Sequence, residues 1–240
     1  MPAYISHTLM ARDVYNRLDN KEVNLDYMVT FSLGGDLCKY SKCRKDSHNI
    51  KQKEFIYNMA DYLKENNLKE DPILLGVLYG HICHYVMDDM LHPLIRNIDK
   101  SCVKNKNNHT LIEGYYDNYL LNKKLNISVD KYDNKVLFKG RVNKKISNMI
   151  NYAYKKTYDT KNVSLYYKFN LFLYKKIKYL YKIFKLDTLK KHSGYNEFRD
   201  NNRSIDLLNY GVINLDSLYD ESVNKALEYI EEIDKYLKYI

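Results

Sequence analysis

The chain has 240 residues, 45% of them apolar, which is enough for one sizeable core and short for two, so it reads as one domain over 1–240. Its eight glycines and three prolines form no linker, and turn residues do not recur every eight to about twelve positions as in an all-β protein. The formal charge of +9 invites a nucleic-acid or membrane-surface role; the dispersed lysines and scarce arginine, the better phosphate fork, read instead as the bias of a Lys-, Asn-, Tyr- and Ile-rich chain.

Taken in order, Ser6 is a candidate N-cap for a first helix over 7–18, with Leu9, Met10, Val14 and Leu18 at helical spacing. An apolar segment over 25–33 ends at Gly34-Gly35-Asp36, a helix stop followed by a loop through the basic CKYSKCRKDS stretch to His48. A helix then runs to about residue 66. Asp71-Pro72 is an N-cap with proline at the first helical position, and that helix is expected to stop at His92 because Pro93 disfavours helical geometry before it. Asn107 or Asn108 caps a helix over about 109–124, and 126–141 is the one place for a short hairpin. Helices over about 141–158, 163–186 and 216–239 follow, the last with Val223, Leu227, Ile230, Ile233 and Leu237 on one stripe, after a polar loop region over 188–215. The expected fold is all-α.

Cys38 and Cys43 are close enough in sequence for a small disulfide or half of a metal site, but no second pair follows; with Cys83 and Cys102 they read as buried or free thiols. The N-terminal MPAYISHTLMARD has neither the basic nor the apolar region of a secretory signal, and the most apolar run, from Pro72, meets His81, His84 and Asp88-Asp89 too soon to span a bilayer. A cytoplasmic location is expected.

The chemistry is concentrated in Gly80-His81-Ile82-Cys83-His84-Tyr85-Val86-Met87-Asp88-Asp89-Met90-Leu91-His92-Pro93. Helical periodicity stacks His84, Asp88 and His92 on successive turns of one face of an apolar helix. Burying such groups without partners costs several kcal/mol, and a metal suits imidazole and carboxylate donors. The next helix repeats the device with His109 and Glu113, and Asp117 follows one turn on. His7, Asp36 and His48 lie at helix starts or beside a loop. His81 reads as a core histidine or as a partner behind a ligand.

In its first 124 residues the chain resembles the bacterial zinc-dependent phospholipase C family, whose fold is shared with the zinc-dependent single-strand nucleases. The positions that carry the likeness are His7, Asp36, His48, the His84/Asp88/His92 helix and the His109/Glu113 helix, in that order. The resemblance implies a single multi-helix domain with a site for two to three zinc ions between helices. It assigns Asp36, His48, His84 and Asp88 to one zinc, Asp88 as a bridge to a second held by His7, and His92, His109 and Glu113 to a third. It also implies a processed N-terminal amine on the weakest ion, here a Pro2 amine, and Asp36 is the candidate general base.

The expected function is hydrolysis of phosphate esters, with a phospholipid or related ester as partner. The alternatives are a nuclease-like enzyme acting on single-stranded nucleic acid, a less favoured partner, and a metal-bearing helical domain that only binds. The segment over 165–186, rich in aromatics and lysines, reads as a core-packing helix with snorkelling lysines or as a peripheral membrane contact.

Overall fold

A residue pattern of helical period with few β-branched runs has produced helices almost throughout the computed structural model, which describes residues 4–19, 22–38, 43, 51–101, 108–127, 132, 137–184 and 204–239. The α-helices are α1 (Tyr4–Arg17), α2 (Leu25–Phe31), α3 (Gln52–Glu65), α4 (Pro72–Ser101), α5 (Asn108–Leu125), α6 (Lys144–Tyr158), α7 (Val163–Phe184) and α8 (Ser204–Lys238). A short 3-10 helix, Gly34–Cys38, follows α2. Among the described residues there is no strand, and the fold is all-α.

α4 is the hub, packed against α1, α2, α3, α5 and α8 as well as the 3-10 helix. Asp71 starts it, its Oδ1 accepting from the Ile73 and Leu74 N–H groups at 3.0 and 3.2 Å, which satisfies two of the donors that a helix start leaves open. α2 lies so close that a Cβ on Gly80 would sit 2.6 Å from the Met28 carbonyl oxygen. Only glycine permits that approach, and it brings the end of α2 beside His84. On the other side α8 buries Val223, Ile230, Ile233 and Leu237, with Leu227 partly covered.

Three expectations need correction, and a fourth, the hairpin over 126–141, falls half outside the described residues, which leave out 128–131 and 133–136. α4 does not end at His92 but continues through Pro93 to Ser101. Pro93 and Asp89, whose carbonyl loses its helical donor, both lie on the exposed face, where water can serve that carbonyl. Leu91 and Ile95 meanwhile keep the inner face in the core. α1 begins at Tyr4 rather than His7, so Ser6 lies in its first turn and is not its cap. The described part of 126–141 holds no strand; Tyr132, Leu137 and Phe138 are buried, and the Gly140 N–H donates to Thr30 Oγ1 at 2.9 Å. α8 reaches back to Ser204, well into the expected loop over 188–215, of which 188–203 lie outside the described residues.

Candidate metal centre

Three elements converge on α4. α1 brings His7, the 3-10 helix brings Asp36, and α5 brings Glu113; all three side chains are buried. The Asp88 carboxylate stands at the centre. Its Oδ1 is 3.2 Å from His7 Nε2 and 3.7 Å from His92 Nε2, and its Oδ2 is 3.4 Å from His84 Nε2. His92 Nε2 also meets Glu113 Oε1 at 3.1 Å. The helical spacing of His84, Asp88 and His92 thus puts all three into one cluster. One donor atom from each of His7, Asp36 and His84 lies within 4.8 Å of the others, and the His7 and His84 rings are 4.6 Å apart.

Orientation comes from the backbone. His84 Nδ1 donates to the Ser32 carbonyl at 3.1 Å; a carbonyl can only accept, so the proton sits on Nδ1 and Nε2 faces Asp88. Gly34 makes room for that ring. Its φ is +43°, and a Cβ there would lie 2.3 Å from His84 Cγ. Neither residue was legible as part of the site. Gly34 signalled only a helix stop, and a serine carbonyl has no sequence signature.

His48 lies outside the described residues, as do Pro2 and the side chain of His109, whose backbone is in the first turn of α5. Asp117 is not a further donor to the cluster. Its carboxylate accepts from the Ile5 and Ser6 N–H groups at 3.2 and 2.8 Å and from the Ser6 hydroxyl, capping α1 from 111 residues away and fixing the helix that carries His7. Burial pushes its pKa up to about 6 against those hydrogen bonds.

His81, one turn before His84, is held differently. Its Nδ1 donates to the Val77 carbonyl at 2.8 Å and its Nε2 accepts from the Tyr167 hydroxyl at 3.1 Å. Burial pushes its pKa down to about 4, so the ring is neutral. It is a core histidine with both nitrogens engaged.

The electrostatics of the cluster favour ionised carboxylates beside positively charged groups. Burial alone would raise the Asp88 pKa, but His84, His7 and His92 hold it well below the usual carboxylate range. Burial would lower the pKa of His92, yet the bond to Glu113 and the charge of Asp88 push it up to about 9; His7 is raised for a similar reason, chiefly by Asp88. Positive charge is therefore favoured among these groups, supplied either by protons on the imidazoles or by a bound cation. The donors fit a divalent ion of the zinc type: imidazole nitrogens and carboxylate oxygens from separate elements. His7 Nδ1 is buried with no hydrogen-bond partner.

A small cavity of about 20 Å³, room for about one water, lies beside the cluster and is lined by Gly35, Phe55, His81, His84, Tyr154 and Tyr167 among others. Behind it, Cys38 Sγ and Cys43 Sγ are 2.9 Å apart, and the Tyr154 hydroxyl lies 3.3 Å from Cys38. Both are buried thiols outside any disulfide, as is Cys83, whose thiol burial pushes upward in pKa; Cys102 lies outside the described residues. The chain matches no family model, no curated protein and no solved structure. No helix among the described residues is long and apolar enough to cross a membrane.

Proposed function

We propose that the chain is a zinc-dependent hydrolase of phosphate esters, of the phospholipase C type, holding two to three ions between α1, the 3-10 helix, α4 and α5. One observation carries the reading: a largely covered carboxylate, Asp88, its side chain 10% exposed, with the imidazoles of His7, His84 and His92 within 3.7 Å of it and with Glu113 joined to His92. Such a concentration of ionisable groups is costly in a core unless positive charge offsets the carboxylates, and a bound cation supplies it while leaving the imidazoles neutral as ligands.

Asp88 is the shared ligand, since its two oxygens face different imidazoles. His7, Asp36 and His84 would complete one end of the site, and His92 with Glu113 the other. His48, which lies outside the described residues, and His109, at the start of α5, would add donors. Ions bound there would lower the pKa of a coordinated water and offset charge on the phosphoryl oxygens. Asp36, on a different element from Asp88, is the candidate general base, positioned by its own N–H bond to the Leu33 carbonyl at 2.9 Å. The Ser32 carbonyl keeps His84 from rotating.

Metal analysis of the purified protein, paired with a panel of a choline phosphodiester, a generic phosphomonoester and single-stranded DNA, tests this. Two to three zinc ions per chain and hydrolysis of the choline phosphodiester, lost on chelation and regained with zinc, are expected. Protein that takes up no zinc, or that cleaves none of the panel when loaded, would refute it.

A further inference from the structure

Among the described residues, five large apolar side chains are exposed, and three of them are on α7: Leu165, Phe169 and Phe172, at 61%, 55% and 56% exposure. Their spacing of four and three places them on one face of the helix. Scattered single apolar residues on a surface need no explanation, but a row of this kind does. Lys168 and Lys176 are exposed along the same stripe. The whole of α7, VSLYYKFNLFLYKKIKYLYKIF, contains five lysines and no acidic residue.

The inner face of α7 leaves no doubt about which side is out. Tyr167 and Tyr174 are buried in the core, the Tyr167 hydroxyl reaches His81, and Asn170 donates to the Leu37 carbonyl at 2.8 Å. Leu37 is the neighbour of Asp36, so α7 props up the 3-10 helix of the metal cluster with one face and offers the apolar row with the other.

We propose that this outer face seats α7 on the headgroup layer of an anionic phospholipid bilayer. The chemistry selects that occupant. An apolar row flanked by lysines matches the two layers of a membrane surface: the rings enter the acyl boundary while the ammonium groups stay among the phosphates. A second copy of this chain is a poor fit, since packing two such faces together would oppose two acid-free, lysine-rich helices. The inference deepens the hydrolase reading, because it would deliver the cluster to a lipid substrate.

Vesicle sedimentation of the full chain decides it. Binding to vesicles containing about 30 mol% phosphatidylserine should exceed binding to pure phosphatidylcholine at least about tenfold, and should weaken as salt rises. The pair F169S/F172S should weaken binding about tenfold or more, since each ring leaves the apolar layer. K168E/K176E should remove the preference for anionic lipid. Both variants alter exposed positions, and their helical circular dichroism should match the parent's. Equal binding to both vesicle types, parent-like binding by F169S/F172S, or a parent dimer that this variant disperses would overturn the proposal. Sedimentation reads binding and not turnover. Binding without hydrolysis of any ester would sink the hydrolase reading alone, and cleavage of a soluble ester without binding would sink this one alone.

Discussion

α4 carries two imidazoles and a carboxylate on its buried face, whereas α7 carries a leucine and two phenylalanines on its exposed one. Each breaks the common rule of apolar inside and charged outside, in opposite directions. The difference teaches where to look for partners. Groups that cost stability where they sit point to a partner, the proposed cation in the first instance and the proposed lipid surface in the second. α4 also contains its own control. His81 and His84 are three residues apart and both buried, yet His81 is completed by the protein while His84 turns Nε2 toward Asp88.

The largest effect should come from Asp88→Asn. The amide keeps the volume but removes the charge that several imidazoles share. Zinc content should fall by at least one ion per chain, and hydrolysis by more than the roughly 10- to 100-fold typical of losing a residue behind a ligand, with helical content unchanged. A variant with full zinc and full turnover would end the shared-ligand assignment.

Gly34→Ala should come next. A non-glycine residue at φ +43° costs about 1–2 kcal/mol, and its Cβ would occupy the space of the His84 ring. For a chain of this size each kcal/mol lowers Tm by about 2–4 °C. Zinc affinity should drop along with Tm. A thermal shift with unchanged metal affinity would mean that the His84 ring does not depend on this glycine.

The contrast between the two histidines is sharpened by acid. The His81 pKa is depressed in the folded protein, to about 4, so its contribution is present above the ordinary value of 6.5 and is lost as pH falls from there toward 4. That loss amounts to about 3 kcal/mol at pH 4. His81→Leu should therefore flatten this part of the acid unfolding curve while leaving zinc content intact, whereas His84→Leu should lose zinc. Equal zinc loss in both variants would erase the distinction drawn between them.

Features that depend on near neighbours in the chain were legible. The His84/Asp88/His92 face follows from helical spacing alone, and so does the stripe of α8. Asp71-Pro72 announces the start of α4 because cap and donors are two and three residues apart. The rest depended on contacts between distant residues. Pro93 stays in its helix because the inner face of α4 is gripped by the core, which outweighs a local preference. The Ser32 carbonyl and the Gly34 gap acquire meaning only once α2 lies against α4. Asp117 looked like one more ligand on the Glu113 face, but it bonds to backbone donors of α1 that no sequence window includes.

Asp117 and Asp71 offer the smallest and finest test, because both are carboxylates capping a helix start. Asp117 serves two buried N–H groups and a buried hydroxyl, so Asp117→Ala should cost about 1–3 kcal/mol. It should also weaken zinc binding, since α1 would lose its anchor beside His7. Asp71 sits nearer the surface, with Lys145 Nζ 2.8 Å from its Oδ2, and Asp71→Ala should cost only about 1 kcal/mol and leave zinc unchanged. Burial would raise the Asp71 pKa, but the bond from Lys145 and the Leu74 and Ile73 N–H groups bring it below the ordinary 3.8. Its stabilisation is thus present above pH 3.8 and is lost as pH falls below that value. The difference between parent and Asp71→Ala stability should accordingly shrink in that acid range and stay constant at neutral pH. Chemical denaturation of the two variants, with zinc counted in each, gives the ranking. If Asp71→Ala proved the more damaging to stability and metal content, the remote cap on α1 would not be what holds His7 in the cluster.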